Sequence, residues 1–275
     1  MESTDFAFAV DLANSMNWNM TANDFAYNSQ IESDGCLMLV NKKDPVGLAT
    51  CINLGKIGWF GNLVVQETYR KQSAGAQLIK YAVTYLKGKG ANTIGLYGYP
   101  HLTSFYGKIG FKPDCDFAVL KAPIVYEASK PQGNIRPIEK NQIPAIIHFD
   151  CQYFGGFRGK VLDPILNDPK NFSFAALNGD HIIGYVTAKV LNDVVEIGPL
   201  ICTPNNPVVA AKLLQTIISQ LEGKEAYLYL KASEAALLDL AHRAGFMETF
   251  RLVRMFLGAL TPQNGVYAAE SLERG

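Results

Sequence analysis

Apolar positions along this chain switch between a period of two and a period of three to four, and the order of the switches occurs twice. Cys36–Thr50 ("CLMLVNKKDPVGLAT") is an apolar run, a polar turn and a second apolar run opened by Pro-Val-Gly, which predicts a β-hairpin. Phe172–Thr187 ("FSFAALNGDHIIGYVT") repeats it, with Asn178-Gly179-Asp180 at the turn and Ile183-Gly184 matching Val46-Gly47. A further strand follows each hairpin, Trp59–Val65 in the first case and Glu196–Cys202 in the second. Helical spacing takes over next. Leu78, Ala82 and Leu86 share one face of Ser73–Leu86, and Leu213, Ile217 and Leu221 share one face of Pro207–Leu221. Each copy then has a short strand (Thr93–Tyr99 or Glu225–Lys231) and a second helix ending in Gly-Phe (Phe105–Phe111 or Leu240–Phe246). One last strand closes each copy, near Ala118 or Val253.

The repeat predicts an α/β fold: two tandem domains of one design, each a mixed, mostly antiparallel sheet flanked by helices. Between the copies, Lys121–Ile138 carries Pro123, Pro131, Gly133 and Pro137, a linker composition that puts the boundary near residue 128. The expected domains are therefore 1–127 and 128–275, and 275 residues suffice for two modest cores.

Composition narrows the function classes. Hydrophobic residues at 48% against 18% charged suit a packed globule, and 25 Lys+Arg balance 25 Asp+Glu, so no basic excess points to nucleic acid. No charge run suggests a membrane patch, and no apolar run reaches the roughly 18 residues of a membrane helix. Met1–Val10 has Glu2 and Asp5 where a signal peptide needs bases, so a cytoplasmic location is expected. The five cysteines are scattered and form no CxxC pair, so reduced thiols are expected, with neither a disulfide framework nor a metal site.

The stretch with most chemistry is "YRKQSAGAQLI", Tyr69–Ile79, where an arginine and small residues stand just before a helix. A helix start leaves four backbone N–H groups without intrahelical partners and carries partial positive charge, so small residues there allow an anion to approach the main chain. Arg70-Lys71-Gln72-Ser73-Ala74-Gly75 resembles the Arg/Gln-x-x-Gly-x-Gly/Ala turn of the GNAT acyl-CoA-dependent N-acetyltransferases, and "FYGKIGF" resembles that family's Tyr-x-Lys-x-Gly-Phe segment. The order of elements agrees over nearly the whole chain. "MNWNMTANDF" (Met16–Phe25), "IGPLICTP" and "RLVRMFLG" are similar to a two-domain subgroup in which only the first domain keeps the full cofactor signature.

That resemblance implies an acetyl-CoA site in the first domain, with coenzyme A as product. The amides of Lys71, Gln72, Ser73, Ala74, Gly75 and Ala76 would hold the pyrophosphate, with Arg70 and Lys71 adding charge at the rim. Leu63, Val64 and Val65 would pair with the pantetheine, an N–H near Val64 facing the thioester oxygen. Ser73 stands where the family has glycine. It is strained if that position needs a positive φ, and otherwise serves as an N-cap. Glu67 replaces the family's proline. Tyr106 falls at the position of the general acid, and a phenol with an ordinary pKa near 10 can protonate a thiolate. Asp24, Glu32 and His101 are candidates for a base only by being polar and near these segments, and the alternative is that solvent takes the amine's proton directly and no base residue exists.

The second copy lacks this chemistry. Pro204–Lys212 ("PNNPVVAAK") has neither arginine nor glycine, Pro204 and Pro207 have no N–H to offer, and Ala241 stands where Tyr106 does in the first copy. At the junction, Asp150, Tyr153, Phe154 and Arg158 are candidates for acceptor recognition, or else for a surface helix that ends at Gly155-Gly156 beside a structural ion pair. The expected activity is acetyl transfer to a primary amine of a small molecule, in a ternary complex and without a metal. A non-catalytic acyl-CoA-binding module and a protein or peptide N-acetyltransferase are the alternatives. No nucleic-acid or membrane partner is expected, and the oligomeric state is left open.

Overall fold

Strand β1 (Cys36–Asn41) and β2 (Asp44–Leu54) form the first expected hairpin, and β3 (Ile57–Val65) pairs antiparallel with β2. They follow two helices, α1 (Phe6–Asn14) and α2 (Ala22–Ile31). A capping box starts α2: the Asp24 carboxylate accepts the Thr21 backbone N–H at 2.7 Å. The amphipathic helix α3 (Ala74–Gly88) comes next, then β4 (Thr93–Gly98), the short α4 (Thr103–Lys108) and β5 (Lys112–Pro123). This computed structural model describes residues 1–123, 133–191, 194–259 and 263–275, and the boundary expected near residue 128 lies outside them.

The second half opens with β6 (Ile135–Pro137), α5 (Ile143–Phe154) and α6 (Gly159–Asn167). Gly155 ends α5 at φ 84°, a left-handed cap that glycine adopts without strain. The second hairpin is β7 (Phe172–Asn178) and β8 (His181–Leu191), followed by β9 (Val194–Cys202), α7 (Pro207–Ile218), β10 (Glu225–Lys231), α8 (Ala235–Arg243) and β11 (Met247–Gly258). A three-residue strand, β12 (Val266–Ala268), follows.

Among the described residues all twelve strands belong to one mixed sheet, in the order β1-β2-β3-β4-β11-β5-β10-β12-β9-β8-β7-β6. The closing strands are exchanged between the halves. β11 comes from the second half and pairs with β4 of the first, and β5 comes from the first half and pairs with β10 of the second. Packing favours this arrangement. Phe117 to Leu120 of β5 are buried on both faces, as a central strand requires. On β4, Gly95 leaves room for two rings: a Cβ there would stand 2.3 Å from the Trp59 ring and 2.9 Å from Phe256 of β11. In the first half, α3 and α4 cover the face that carries Phe60 and Leu96. The opposite face carries Val64 and Trp59, covered by α1 and α2 and by α5.

Candidate functional site

Parallel pairing between β3 and β4 covers only Ile57 to Trp59 against Thr93 to Gly95, and beyond it the two strands part. Among the described residues, β3 runs on to Val65 with only β2 beside it. Asn62, at φ 50°, sits where the β2–β3 register jumps between Leu48↔Val64 and Thr50↔Gly61, so a bulge bends β3 at the parting. The Gln66 N–H donates to the Val46 oxygen at 2.9 Å, toward β2. Alternation turns the Val64 N–H the same way and leaves those of Leu63 and Val65 on the open edge. The open-edge N–H groups near Val64 are therefore those of Leu63 and Val65.

At the end of that edge, a turn leads into α3. Lys71 has φ 62° and Ser73 φ 64°, two left-handed residues within three positions. For a residue with a Cβ each costs on the order of 1 kcal/mol. Ser73 makes no side-chain cap bond, so of its two expected roles the strained one is observed. The first helical bond in this stretch runs from Gln77 N–H to Ser73 O at 3.0 Å. The backbone N–H groups of Lys71 to Ala76 have no hydrogen-bond partner among the described residues. A Cβ on Gly75 would meet only the Phe105 ring, at 3.5 Å, so its small size answers no need of the protein's own packing. Arg70 Nε donates to Val65 O at 3.0 Å, tying the arginine to the last residue of β3.

Tyr106 is buried on α4, its ring against Gly98 and Phe111, and its hydroxyl makes no hydrogen bond among the described residues. Burial alone pushes its phenol up to about 12. The three base candidates have other engagements. Asp24 caps α2, His101 stacks on Tyr99 with ring centroids 5.6 Å apart, and Glu32 is held by Lys160 and Tyr85. Burial alone would raise the Glu32 pKa, but Lys160 and Tyr85 outweigh it and hold the carboxyl below its ordinary value.

The second half has a corresponding gap. β9 and β10 pair in parallel from Val194↔Glu225 to Ile197↔Leu228 and then part. Here β12 fills the gap: Ala268 pairs with both Leu230 and Leu200, and Val266 with Ile201. Cys202 N–H donates to Gly265 O at 2.9 Å, and Ala269 N–H to Tyr229 O at 3.0 Å. At the start of α7 the Asn206 N–H donates to the hydroxyl of Tyr267, itself a β12 residue, at 3.2 Å.

Beyond β12 the chain runs into the junction between the halves. Arg158 and Asp150, both fully buried, form a two-bond pair at 3.0 and 2.6 Å, and Asp150 also accepts from the Tyr185 hydroxyl at 2.6 Å. The guanidinium lies 3.8 Å over the Phe154 ring and also donates to the Gly275 oxygen. Of the two roles open for this pair in the sequence, the geometry is that of the structural ion pair, because the two side chains are taken up by each other, by the Tyr185 hydroxyl and by the Gly275 oxygen. Tyr153 packs on Phe149 and beside Gly265, again within the junction. The sequence reading missed the segment 269–275. It crosses the junction toward β3, where a Cβ on Gly61 would stand 2.6 Å from Glu273 Cα. Its only sequence signal was an acidic and basic alternation, Glu270, Glu273 and Arg274, in a stretch with no periodicity.

Among the described residues no cluster of three or more His, Cys, Asp or Glu could hold a metal, and no helix is long and apolar enough to cross a membrane. Comparison with known proteins matches residues 8–111 to the acetyltransferase (GNAT) family model and residues 146–268 to an acetyltransferase (GNAT) domain model. Among solved structures, the fold is similar to that of a Pyrococcus horikoshii protein assigned to the acetyltransferases, at TM-score 0.80 and 20% identity, covering 100% of this chain and 94% of that one. It is also similar to a GCN5-related N-acetyltransferase from Sphaerobacter thermophilus, at TM-score 0.66 and 15% identity with 94% of each chain covered.

Proposed function

Both halves of the chain belong to the GNAT acetyltransferases, and from that premise we propose that the protein transfers an acetyl group from acetyl-CoA to the primary amine of a small molecule, at one site in its first half. The start of α3 carries this reading. Six consecutive N–H groups, Lys71 to Ala76, lack partners among the described residues at the end of an open strand edge. Such a concave row of donors at a helix start suits a diphosphate. The room beside Gly75 is compatible with close approach of the coenzyme to the main chain.

The coenzyme supplies the activated acyl group as a thioester. The protein supplies positions for it. The open-edge amides of Leu63 and Val65 suit the carbonyl oxygens of an extended pantetheine, and a donor there stabilises the oxyanion of the tetrahedral intermediate. Tyr106, with its phenol pushed up to about 12, stays protonated at neutral pH and can give its proton to the departing thiolate. The acceptor amine would approach from the face of β3 opposite α3, where Glu273 lies against Gly61. A segment that close to the strand favours a small acceptor over a polypeptide. The balanced charge of the chain gives no support to nucleic-acid or membrane partners, and a cytoplasmic enzyme remains the working picture.

Calorimetric titration with acetyl-CoA tests the cofactor half of this reading, on the intact chain and on Arg70→Glu. One site per chain, weakened in the variant, is expected, followed by turnover with a panel of primary amines. Two sites, or binding without any turnover, would overturn it. The second result would leave a non-catalytic acyl-CoA module.

A further inference from the structure

We propose that Glu273 is the residue that receives the acceptor's ammonium group and takes its proton, an inference that rests on the acyl-transfer reading above. The position of the tail is the starting point. Gly61 lies on β3 two residues before Leu63, where the open edge begins, and a Cβ on it would stand 2.6 Å from both Cα and Cβ of Glu273. The segment carrying Glu273 therefore rests directly on the strand whose edge is free beyond the parting from β4. It does so on the face occupied by Trp59 and α2, opposite α3.

The charges around Glu273 point to a missing cation. Glu270, fully buried, accepts from Lys189 and from Arg274 Nε at 3.0 Å. Glu196 pairs with Lys189 at 2.9 Å and accepts from the Tyr229 hydroxyl at 2.8 Å. Glu273 has only Arg274 Nη1, on a guanidinium that Glu270 already holds. Three carboxylates (Glu196, Glu270, Glu273) thus face two cations (Lys189, Arg274) in this described cluster. The Glu273 side chain keeps 20% of its surface exposed while Glu270 keeps none. A third cation, the ammonium of an amine, fits the surplus charge at the residue that is still accessible.

A second feature beside this pair asks for a ligand. Asn28 of α2 is 1% exposed, and its Nδ2 has no hydrogen-bond partner among the described residues. Its Oδ1 faces the same Arg274 Nη1 that Glu273 holds, at 3.5 Å. A buried amide donor without an acceptor is costly, and a substrate oxygen would satisfy it. The acceptor that fits is a primary amine with a hydroxyl or carbonyl oxygen nearby. A free carboxylate would meet the surplus negative charge. Arg274 stacks over the ring of Tyr27 at 5.2 Å beside this pair.

The environment also tunes Glu273 for proton uptake. Burial raises its pKa, Arg274 and Lys189 oppose this, and the neighbouring Glu196 and Glu270 raise it further, so the net shift is upward. Tyr27 and Tyr229 complete the titratable groups around it. The step balances simply. The ammonium gives one proton to the Glu273 carboxylate, and the freed nitrogen lone pair attacks the thioester carbon. The C–N bond forms first, giving the tetrahedral oxyanion, whose collapse breaks the C–S bond. The thiolate leaves with the bonding pair and takes the Tyr106 proton, the amide nitrogen gives its remaining excess proton back to the Tyr106 phenolate, and Glu273 releases its proton to solvent.

The test uses the full chain and the fastest member of the amine panel, with a matched amine lacking the hydroxyl. In the wild type, kcat/KM should fall as pH drops through the raised Glu273 pKa, because the protonated acid cannot accept a proton. Glu273→Gln should lower kcat at neutral pH roughly 10²-fold and remove that acidic limb, with acetyl-CoA affinity and Tm unchanged. Calorimetry without coenzyme gives a second readout: binding of the hydroxyl-bearing ammonium should weaken at least tenfold in Glu273→Gln. Asn28→Ala should raise KM for that amine but not for its matched partner. Should the glutamine variant fail to fold, Glu273→Asp serves, since it keeps the limb while lowering kcat. A Glu273→Gln enzyme that keeps its rate and acidic limb overturns the proposal. A wild type that turns over no amine overturns the acyl-transfer reading itself, and with it the role of Glu273.

Discussion

The two halves open the same gap between neighbouring strands and treat it in opposite ways. In the first, β3 and β4 part after Trp59 and Gly95, and the exposed edge of β3 leads to a row of unpartnered amides at the start of α3. In the second, β9 and β10 part after Ile197 and Leu228, and three residues of the chain's own tail lie in the gap. An extended peptide pairs with a free strand edge through the same regularly spaced amides and carbonyls that any extended amide-bearing ligand would use. The second site is thus more than stripped of Arg, Gly and Tyr. Its space and its hydrogen bonds are taken, even to the Tyr267 hydroxyl at the start of α7.

The tail links the two gaps, so breaking it tests them together. Arg158→Met leaves Asp150 buried and unpaired and releases the Gly275 oxygen. A loss of about 3–5 kcal/mol is expected in urea denaturation. Next comes the acid sensitivity of the tail. Burial would raise the Glu270 pKa, but Arg274 and Lys189 override it and hold the carboxyl at about 2, below its ordinary 4.5. A depressed folded-state value means that this stabilisation is complete above about pH 4.5 and is lost as pH falls toward 2. Its size is on the order of 3 kcal/mol, and Glu270→Gln should flatten the urea midpoint between pH 5 and 3.

Smaller effects separate the open gap from the filled one. Tyr106→Phe should lower kcat roughly 10²-fold with acetyl-CoA affinity unchanged, and the wild-type rate should show no loss from Tyr106 ionisation until pH approaches 12. Gly75→Val should weaken acetyl-CoA binding at least tenfold, about 1.4 kcal/mol, with Tm nearly constant, because the new Cβ finds only Phe105. The reciprocal Val208→Gly at the start of α7 should create no second site while β12 fills the gap; calorimetric stoichiometry reads both. Smallest is Ser73→Gly, which relieves a left-handed serine and should raise stability by about 1 kcal/mol in thermal melts.

Local patterns carried much of this protein. Alternation at Cys36–Thr50 and Phe172–Thr187 marked the hairpins, helical spacing marked α3 and α7, and Gly155 marked the end of α5, because each depends on interactions within a few residues. The turn from Arg70 to Ala76 was legible for the same reason, and so was the chemical poverty of Pro204–Lys212. The role of Asp150 and Arg158 was not, since a charged pair reads alike whether it binds a ligand or a neighbour. Nor did the sequence mark Val266–Ala268 as a strand, for three residues have too little period to register.

Elements, their faces and the small-residue turn before α3 were thus determined by the sequence alone. Tertiary structure decided which strand lies beside which, which gap stays open, and where Glu273 ends up. The physical reason is that backbone ladders accept any extended neighbour. The choice falls to long-range fit, such as the room Gly95 leaves for Trp59 and Phe256, the room Gly61 leaves for the tail, and the pairing of Arg158 that holds the tail there.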